Sequence, residues 1–210
     1  MNGAGKTTTI RMLTCLSKPT SGEAYICGHS VRTESPLVKR AVGVSPQDTA
    51  VADNLTVREN LELIAKIYGL TAEKQDSRVV EMREMFGLDE VMGQRAKTLS
   101  GGWKRRVSIA MALISEPEVL FLDEPTLGLD VLARRELWSA IESLKGKMTV
   151  ILTTHYMEEA EKLSDRIAVM VGGRLRAIGT LSELEQLTGE TGLENAFVKI
   201  AESDFGGENA

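Results

Sequence analysis

Residues 99–130 read Leu99-Ser100-Gly101-Gly102-Trp103-Lys104-Arg105-Arg106, then VSIAMALISEPEVLFLDEPTLGLD through Asp130. The opening Leu99-Ser100-Gly101-Gly102 is a small-residue turn set directly before a helical pattern. Val107, Ala110, Met111 and Ile114 recur at helical spacing and predict one buried face. Pro117 ends that helix. Val119-Leu120-Phe121-Leu122 is an unbroken apolar run, which predicts a strand buried on both faces, as in a parallel sheet. It finishes in Asp123-Glu124-Pro125, two adjacent carboxylates at the carboxyl end of a buried strand, where open α/β sheets bind ligands.

Neighbouring carboxylates repel and are costly to desolvate, so a cation is expected near them. Mg²⁺ with a phosphate chain would supply it, one carboxylate holding the metal and the other polarising a water. Taken alone, the pair is equally readable as a solvated turn. The amino terminus tips the balance, because Met1-Asn2-Gly3-Ala4-Gly5-Lys6-Thr7-Thr8 carries the closing part of the phosphate-binding pattern G-x-x-x-x-G-K-[ST]. Its glycines let backbone N–H groups converge on phosphate oxygens without a Cβ in the way. Lys6 would neutralise the β/γ oxygens, Thr7 would offer a hydroxyl to Mg²⁺, and a helix starting near Lys6 would aim its positive end at the same anion.

With both pieces in view, the chain resembles the nucleotide-binding domain of an ABC transporter, from Asn2 to about Ile178. Lys6 and Thr7 match the end of Walker A, Gln47 in Val44-Ser45-Pro46-Gln47-Asp48 the Q-loop, and Leu99 to Gly102 the signature motif. Asp123-Glu124 match the end of Walker B, Leu129-Asp130 the D-loop, and His155 the switch histidine. Trp103 stands where the family commonly has glutamine. The resemblance implies an α/β P-loop NTPase fold with a mostly parallel central sheet and an inserted helical subdomain. It implies a single domain: a RecA-like core over about 1–52 and 98–180, a helical subdomain over about 53–97, and a C-terminal extension over about 181–210.

The resemblance also implies roles. Gly3, Ala4, Gly5, Lys6, Thr7, Thr8 and Gln47 would bind ATP, Ser100, Gly101 and Gly102 would serve the nucleotide held by a second copy, and Asp130, grouped with the nucleotide-binding residues, would carry contacts across the dimer. Thr7, Gln47 and Asp123 would hold Mg²⁺, Glu124 would be the general base, and His155 would complete the γ-phosphate clamp. Position alone leaves Gln47 readable as a solvated loop glutamine and His155 as a structural histidine. The partners implied are a second nucleotide-binding domain and transmembrane permease subunits, through which the chain would sit on the cytoplasmic face of the membrane. The run from His155 to Glu161, HYMEEAE, is similar to the drug-resistance and ABC-2 type exporter branch.

The pattern's first glycine falls upstream of Met1, as does the strand that would feed the loop. The expectation is that the natural protein starts earlier; the alternative is a catalytically defective remnant of the domain. A soluble ABC ATPase acting on ribosomes or DNA is a third reading, disfavoured because such proteins carry two domains or long insertions.

Composition sets the class limits. At 210 residues with 42% apolar and 26% charged content, the chain suits one sizeable globular domain. No apolar run approaches the ~20 residues of a membrane span, and no signal peptide is visible. A net charge of −5 and 4% aromatic residues argue against nucleic acid as a partner. Cys15 and Cys27 show no metal spacing and are expected as buried, reduced thiols.

Further elements are expected along the chain. A helix is predicted over residues 9–16, with Ile10, Leu13 and Leu16 on one face, then a strand over 22–28 with His29 in the turn that follows. Val42-Gly43-Val44 should form a short strand. Thr56-Val57-Arg58-Glu59 is a capping box opening a helix that Gly69 closes, and a second helix is expected over about 72–86, stopped by Gly87. Lys104-Arg105-Arg106 oppose a helix dipole, which calls for an anion or carboxylate nearby. Ala133, Leu137, Ile141 and Leu144 mark a helix, 149–153 a second buried strand, and 156–163 a helix with an acidic face of Glu158, Glu159 and Glu161. A hairpin turning at Gly172-Gly173, a short helix capped by Ser182-Glu183-Leu184-Glu185, a further helical stretch over 193–200 and a disordered tail from Phe205 complete the expectation.

Overall fold

The computed structural model describes residues 3–202. The described residues resolve into two compact units, one of those up to residue 10 with those from 154 onward and the other of residues 11–153. Helix α1 (Lys6–Leu13) runs across the division in sequence.

The sheet of the larger unit forms from β3 (Val42–Ser45), β4 (Val119–Asp123) and β5 (Thr149–Thr153), all parallel, with β4 in the middle. The central place explains the unbroken apolar run, since every residue of β4 is buried. The expectation that β5 is equally buried is corrected: Thr149 is exposed and the rest half-buried, because among the described residues β5 has only β4 beside it. Ahead of the sheet lies a small antiparallel pair, β1 (Tyr25–Ile26) with β2 (His29–Ser30), followed by α2 (Ser35–Ala41), which the sequence reading did not identify. His29 therefore lies in a strand, not a turn, and its Nδ1 sits 3.5 Å from Glu34.

The helical segment contains α3 (Val57–Ile67) and α4 (Ala72–Met85). The capping box of α3 is present: Thr56 accepts the Glu59 N–H at 3.2 Å, and Glu59 accepts the Thr56 N–H at 2.7 Å. Helix α5 (Gly101–Leu113) begins at the N-cap Ser100 and buries Val107, Ile109 and Ala110 completely. At about 1.5–3 kcal/mol for each large aliphatic side chain, this face dominates its docking. Helix α6 (Val131–Glu142) follows β4, with Leu137 and Ile141 buried beside Leu144.

The smaller unit contains α7 (Met157–Leu163), the antiparallel hairpin β6 (Ile167–Val171) with β7 (Arg174–Gly179), α8 (Leu181–Thr188) and α9 (Leu193–Glu202). Val169, Leu184, Leu193 and Ile200 form its core. The hairpin turns at Gly172 and Gly173, both at positive φ, which a right-twisting two-residue turn requires.

Several local expectations are corrected. Leu16 lies beyond α1 and is 59% exposed. Neither thiol is buried: Cys15 is half-buried and Cys27 exposed, both in left-handed backbone at φ 57° and 49°. Glu159 is fully buried, sharing the inward side of α7 with Leu163, while Glu158 and Glu161 stay outside. Thr180, not Ser182, caps α8, in a capping box with Glu183. The expected disordered tail lies outside the described residues.

Candidate functional site

In the smaller unit, Gly3 and Gly5 take φ of 83° and 93°, backbone open to glycine at little cost. The loop they form rests on the hairpin turn. Gly173 N–H donates to the Ala4 carbonyl at 3.1 Å, and a Cβ on Gly5 would come within 3.3 Å of Gly173 Cα. Helix α1 starts at Lys6, and its first helical N–H bond runs from Thr9 to the Gly5 carbonyl at 2.9 Å. The amides ahead of Thr9 therefore point along the axis out of the helix, the arrangement that favours an anion. Thr7 and Thr8 are exposed in that first turn. His155 is also exposed, its ring 4.2 Å from that of Tyr156.

In the larger unit, Asp123 and Glu124 close the central strand at 3% and 8% exposure. The parallel register sets Thr153 of β5 opposite Asp123. Thr153 serves both acids: its hydroxyl donates to Asp123 Oδ1 at 2.5 Å and accepts the Glu124 N–H at 3.2 Å, while its carbonyl accepts the same N–H at 3.0 Å. Glu124 stands in left-handed backbone at φ 50°. That conformation is uncommon for a residue with a long side chain and persists only where the surroundings hold it. In the sequence Thr153 reads as an ordinary strand residue, and nothing local marks it.

Gln47 is exposed just past the end of β3. Ser100 is exposed and caps α5, accepting the Trp103 N–H at 3.4 Å. Gly101 has open space where a Cβ would stand; at Gly102 it would meet Ala133 and Leu129 at ordinary contact distance. Asp130 already holds a structural post, its Oδ1 capping α6 by accepting the N–H groups of Leu132 and Ala133, each at 2.9 Å. The basic triplet has the partners its dipole conflict called for. Lys104 pairs with Asp53 at 2.8 Å, Arg106 pairs with Glu136 and lies 4.8 Å over the Trp103 ring, and Arg105 turns inward to main-chain carbonyls.

A glycine loop closing on Lys6 and Thr7 at a helix start, and a central parallel strand ending in two buried acids, define a P-loop NTPase. The ABC transporter family profile matches residues 1–127. The chain belongs to the ABC transporter family. It is 44% identical over 188 residues to the human phospholipid-transporting ATPase ABCA3, covering 90% of this chain and 11% of that protein. It is 44% identical over 189 residues to the daunorubicin resistance ATP-binding protein DrrA3 of Streptomyces coeruleorubidus, covering 90% of this chain and 60% of the relative. The chain thus spans from about a tenth to three-fifths of these relatives. Among solved structures, an ATP-binding subunit of an ABC transporter superposes with a TM-score of 0.87 at 30% identity, covering 96% of this chain and 85% of that one. The dimeric post-hydrolysis cassette MJ0796 bound to ADP and Pi superposes at 0.78 with 29% identity, covering 86% and 82%.

Proposed function

We propose that this chain is an ATP-hydrolysing nucleotide-binding domain that drives export through separate membrane subunits. The observation that carries the reading is Glu124, a buried residue in left-handed backbone just past the central strand, its main-chain N–H held by Thr153, whose hydroxyl also reaches Asp123. A base that must meet one water in one orientation needs such fixing.

Lys6 and the amides of the α1 first turn bind the phosphates, with Gly3, Ala4 and Gly5 allowing close approach. Among the described residues no three His, Cys, Asp or Glu side chains cluster as a metal site. The reading assigns Mg²⁺ to the Thr7 hydroxyl, the Gln47 amide oxygen and the Asp123 carboxylate, oxygen donors of the kind Mg²⁺ takes. Bound Mg²⁺ supplies charge neutralisation on the β/γ oxygens. Glu124 accepts the proton of the attacking water as its oxygen bonds to the γ-phosphorus. The bond from that phosphorus to the bridging oxygen breaks, and ADP carries the electron pair away. His155 donates a hydrogen bond to the γ-phosphate, and Ser100, Gly101 and Gly102 reach the nucleotide of a second copy, with Asp130 at that contact.

The named relatives are a daunorubicin resistance ATP-binding protein and a phospholipid-transporting ATPase. Their membrane parts would select the cargo, and α3 and α4 would face such subunits from the cytoplasmic side. Among the described residues no helix is long and apolar enough to cross a membrane. Glu124→Gln should lower ATP turnover about 100-fold or more, the scale of a lost general base, while nucleotide binding persists. Turnover near the wild-type rate would remove Glu124 from the base role.

A further inference from the structure

Arg105 lies on the helix that Ser100 caps, and it is 5% exposed. Its Nη1 donates to the Pro46 carbonyl and its Nη2 to the Gln47 carbonyl, each at 2.6 Å. These are the first two residues after β3, where the strand gives way to the loop carrying the Gln47 side chain. A planar fork held by two successive carbonyls fixes the peptide plane between them, since turning either carbonyl away breaks a charge-assisted bond.

The same face of α5 is fastened to β3 in two further places. A Cβ on Gly43 would lie 2.2 Å from the Ala112 carbonyl oxygen, so only glycine permits that approach. One helical turn earlier, the buried hydroxyls of Ser45 and Ser108 are 2.9 Å apart. Residues 112, 108 and 105 share one helical face. The first two contacts hold the strand, and Arg105 carries the attachment past the strand end into the loop.

We infer that Arg105 is a positioning residue: it locks the Gln47 loop to the helix bearing Ser100, so that the metal-facing glutamine and the signature end of α5 move as one piece. The clamp stands on these contacts, while its consequence for Mg²⁺ rests on the function proposed above. A lysine would keep the charge but present one ammonium in place of a fork, and a glutamine would remove the charge.

The test compares wild type, Arg105→Lys and Arg105→Gln. Backbone order parameters of Gln47 and Asp48 in the nucleotide-free chain should fall from about 0.85 to below about 0.6 in Arg105→Gln, with Arg105→Lys between. Unchanged order in a folded Arg105→Gln chain overturns the clamp. If that variant does not fold, Arg105→Lys decides by the same measurement. In turnover, the Mg²⁺ concentration for half-maximal rate should rise about 5-fold in Arg105→Gln, with ATP affinity in EDTA unchanged, and Arg105→Lys should recover part of the loss. A loosened loop with unaltered Mg²⁺ dependence overturns the coupling. A wild-type chain inert toward Mg²⁺-ATP sinks the proposed function and leaves the order parameters to decide the clamp.

Discussion

At Glu124 two costs coincide. Its φ of 50° places Cβ against the following carbonyl, and this charged residue is only 8% exposed. Glycine or asparagine would take this backbone at lower cost, and the reading proposed above accounts for a glutamate there. Glu124→Gly should raise stability by about 1 kcal/mol, read from the urea midpoint, by removing the backbone strain. Glu124→Gln keeps the same φ and should show no such gain. A Glu124→Gly chain no more stable than wild type would mean that the left-handed backbone carries no strain. Thr153 works at the same scale, with one hydroxyl joining the Asp123 carboxylate to the Glu124 amide.

At the scale of elements, α4 is tied to the C-terminal end of α5 by charge. Arg78, 6% exposed, donates through Nε to the Ile114 carbonyl at 3.3 Å and through Nη2 to the Leu113 carbonyl at 2.5 Å. A cation at a helix C-terminus meets the negative end of the dipole and satisfies carbonyls the helix leaves over. Glu116 joins from the following turn, 2.8 Å from Lys74 and 3.7 Å from Arg78. The Lys74 hydrogen bond holds the Glu116 carboxyl below its ordinary range; partial burial opposes this and the Arg78 charge adds to it. A carboxyl acidified by folding stabilises the fold above its unfolded pKa and loses that contribution as pH falls through its folded value. Glu116 is half exposed, so solvent screens the pair. Glu116→Gln should cost about 0.5 kcal/mol at neutral pH, and the gap to wild type should close in acid, once pH has fallen below the ordinary carboxylate range. A gap that persists in acid would show that packing, not charge, ties Glu116 in place. Element by element, legibility followed locality. The Thr56–Glu59 capping box and the buried β4 run are written within a few consecutive residues. In the sequence Glu159 belongs to an acidic helix face, because a helical wheel does not show which neighbour covers it.

For the whole molecule, the proposed cycle needs two copies, since in it Ser100, Gly101 and Gly102 would serve a nucleotide bound by the other copy. Glu124→Gln with Mg²⁺-ATP should sediment as a dimer and return to monomer without nucleotide. A monomer at saturating ATP would remove the paired arrangement while leaving nucleotide binding by one copy testable. Asp130 bears on this, because its carboxylate is already engaged in capping α6. A contact across a dimer would use its remaining acceptor capacity.

The sequence by itself determined what depends on near neighbours: the glycine loop closing on Lys6 and Thr7, the strand ending in Asp123-Glu124, the Thr56–Glu59 capping box and the hairpin turn at Gly172-Gly173. These rest on backbone freedom, apolar periodicity and spacing, which act over a few residues. Only the tertiary structure decided that Thr153 joins the two acids, that Arg105 grips the Gln47 loop and that Gly43 admits the Ala112 carbonyl. Each of these pairs segments about 30 to 70 residues apart. Strand register and helix rotation set their distances, and neither is encoded in the residues that make the contact.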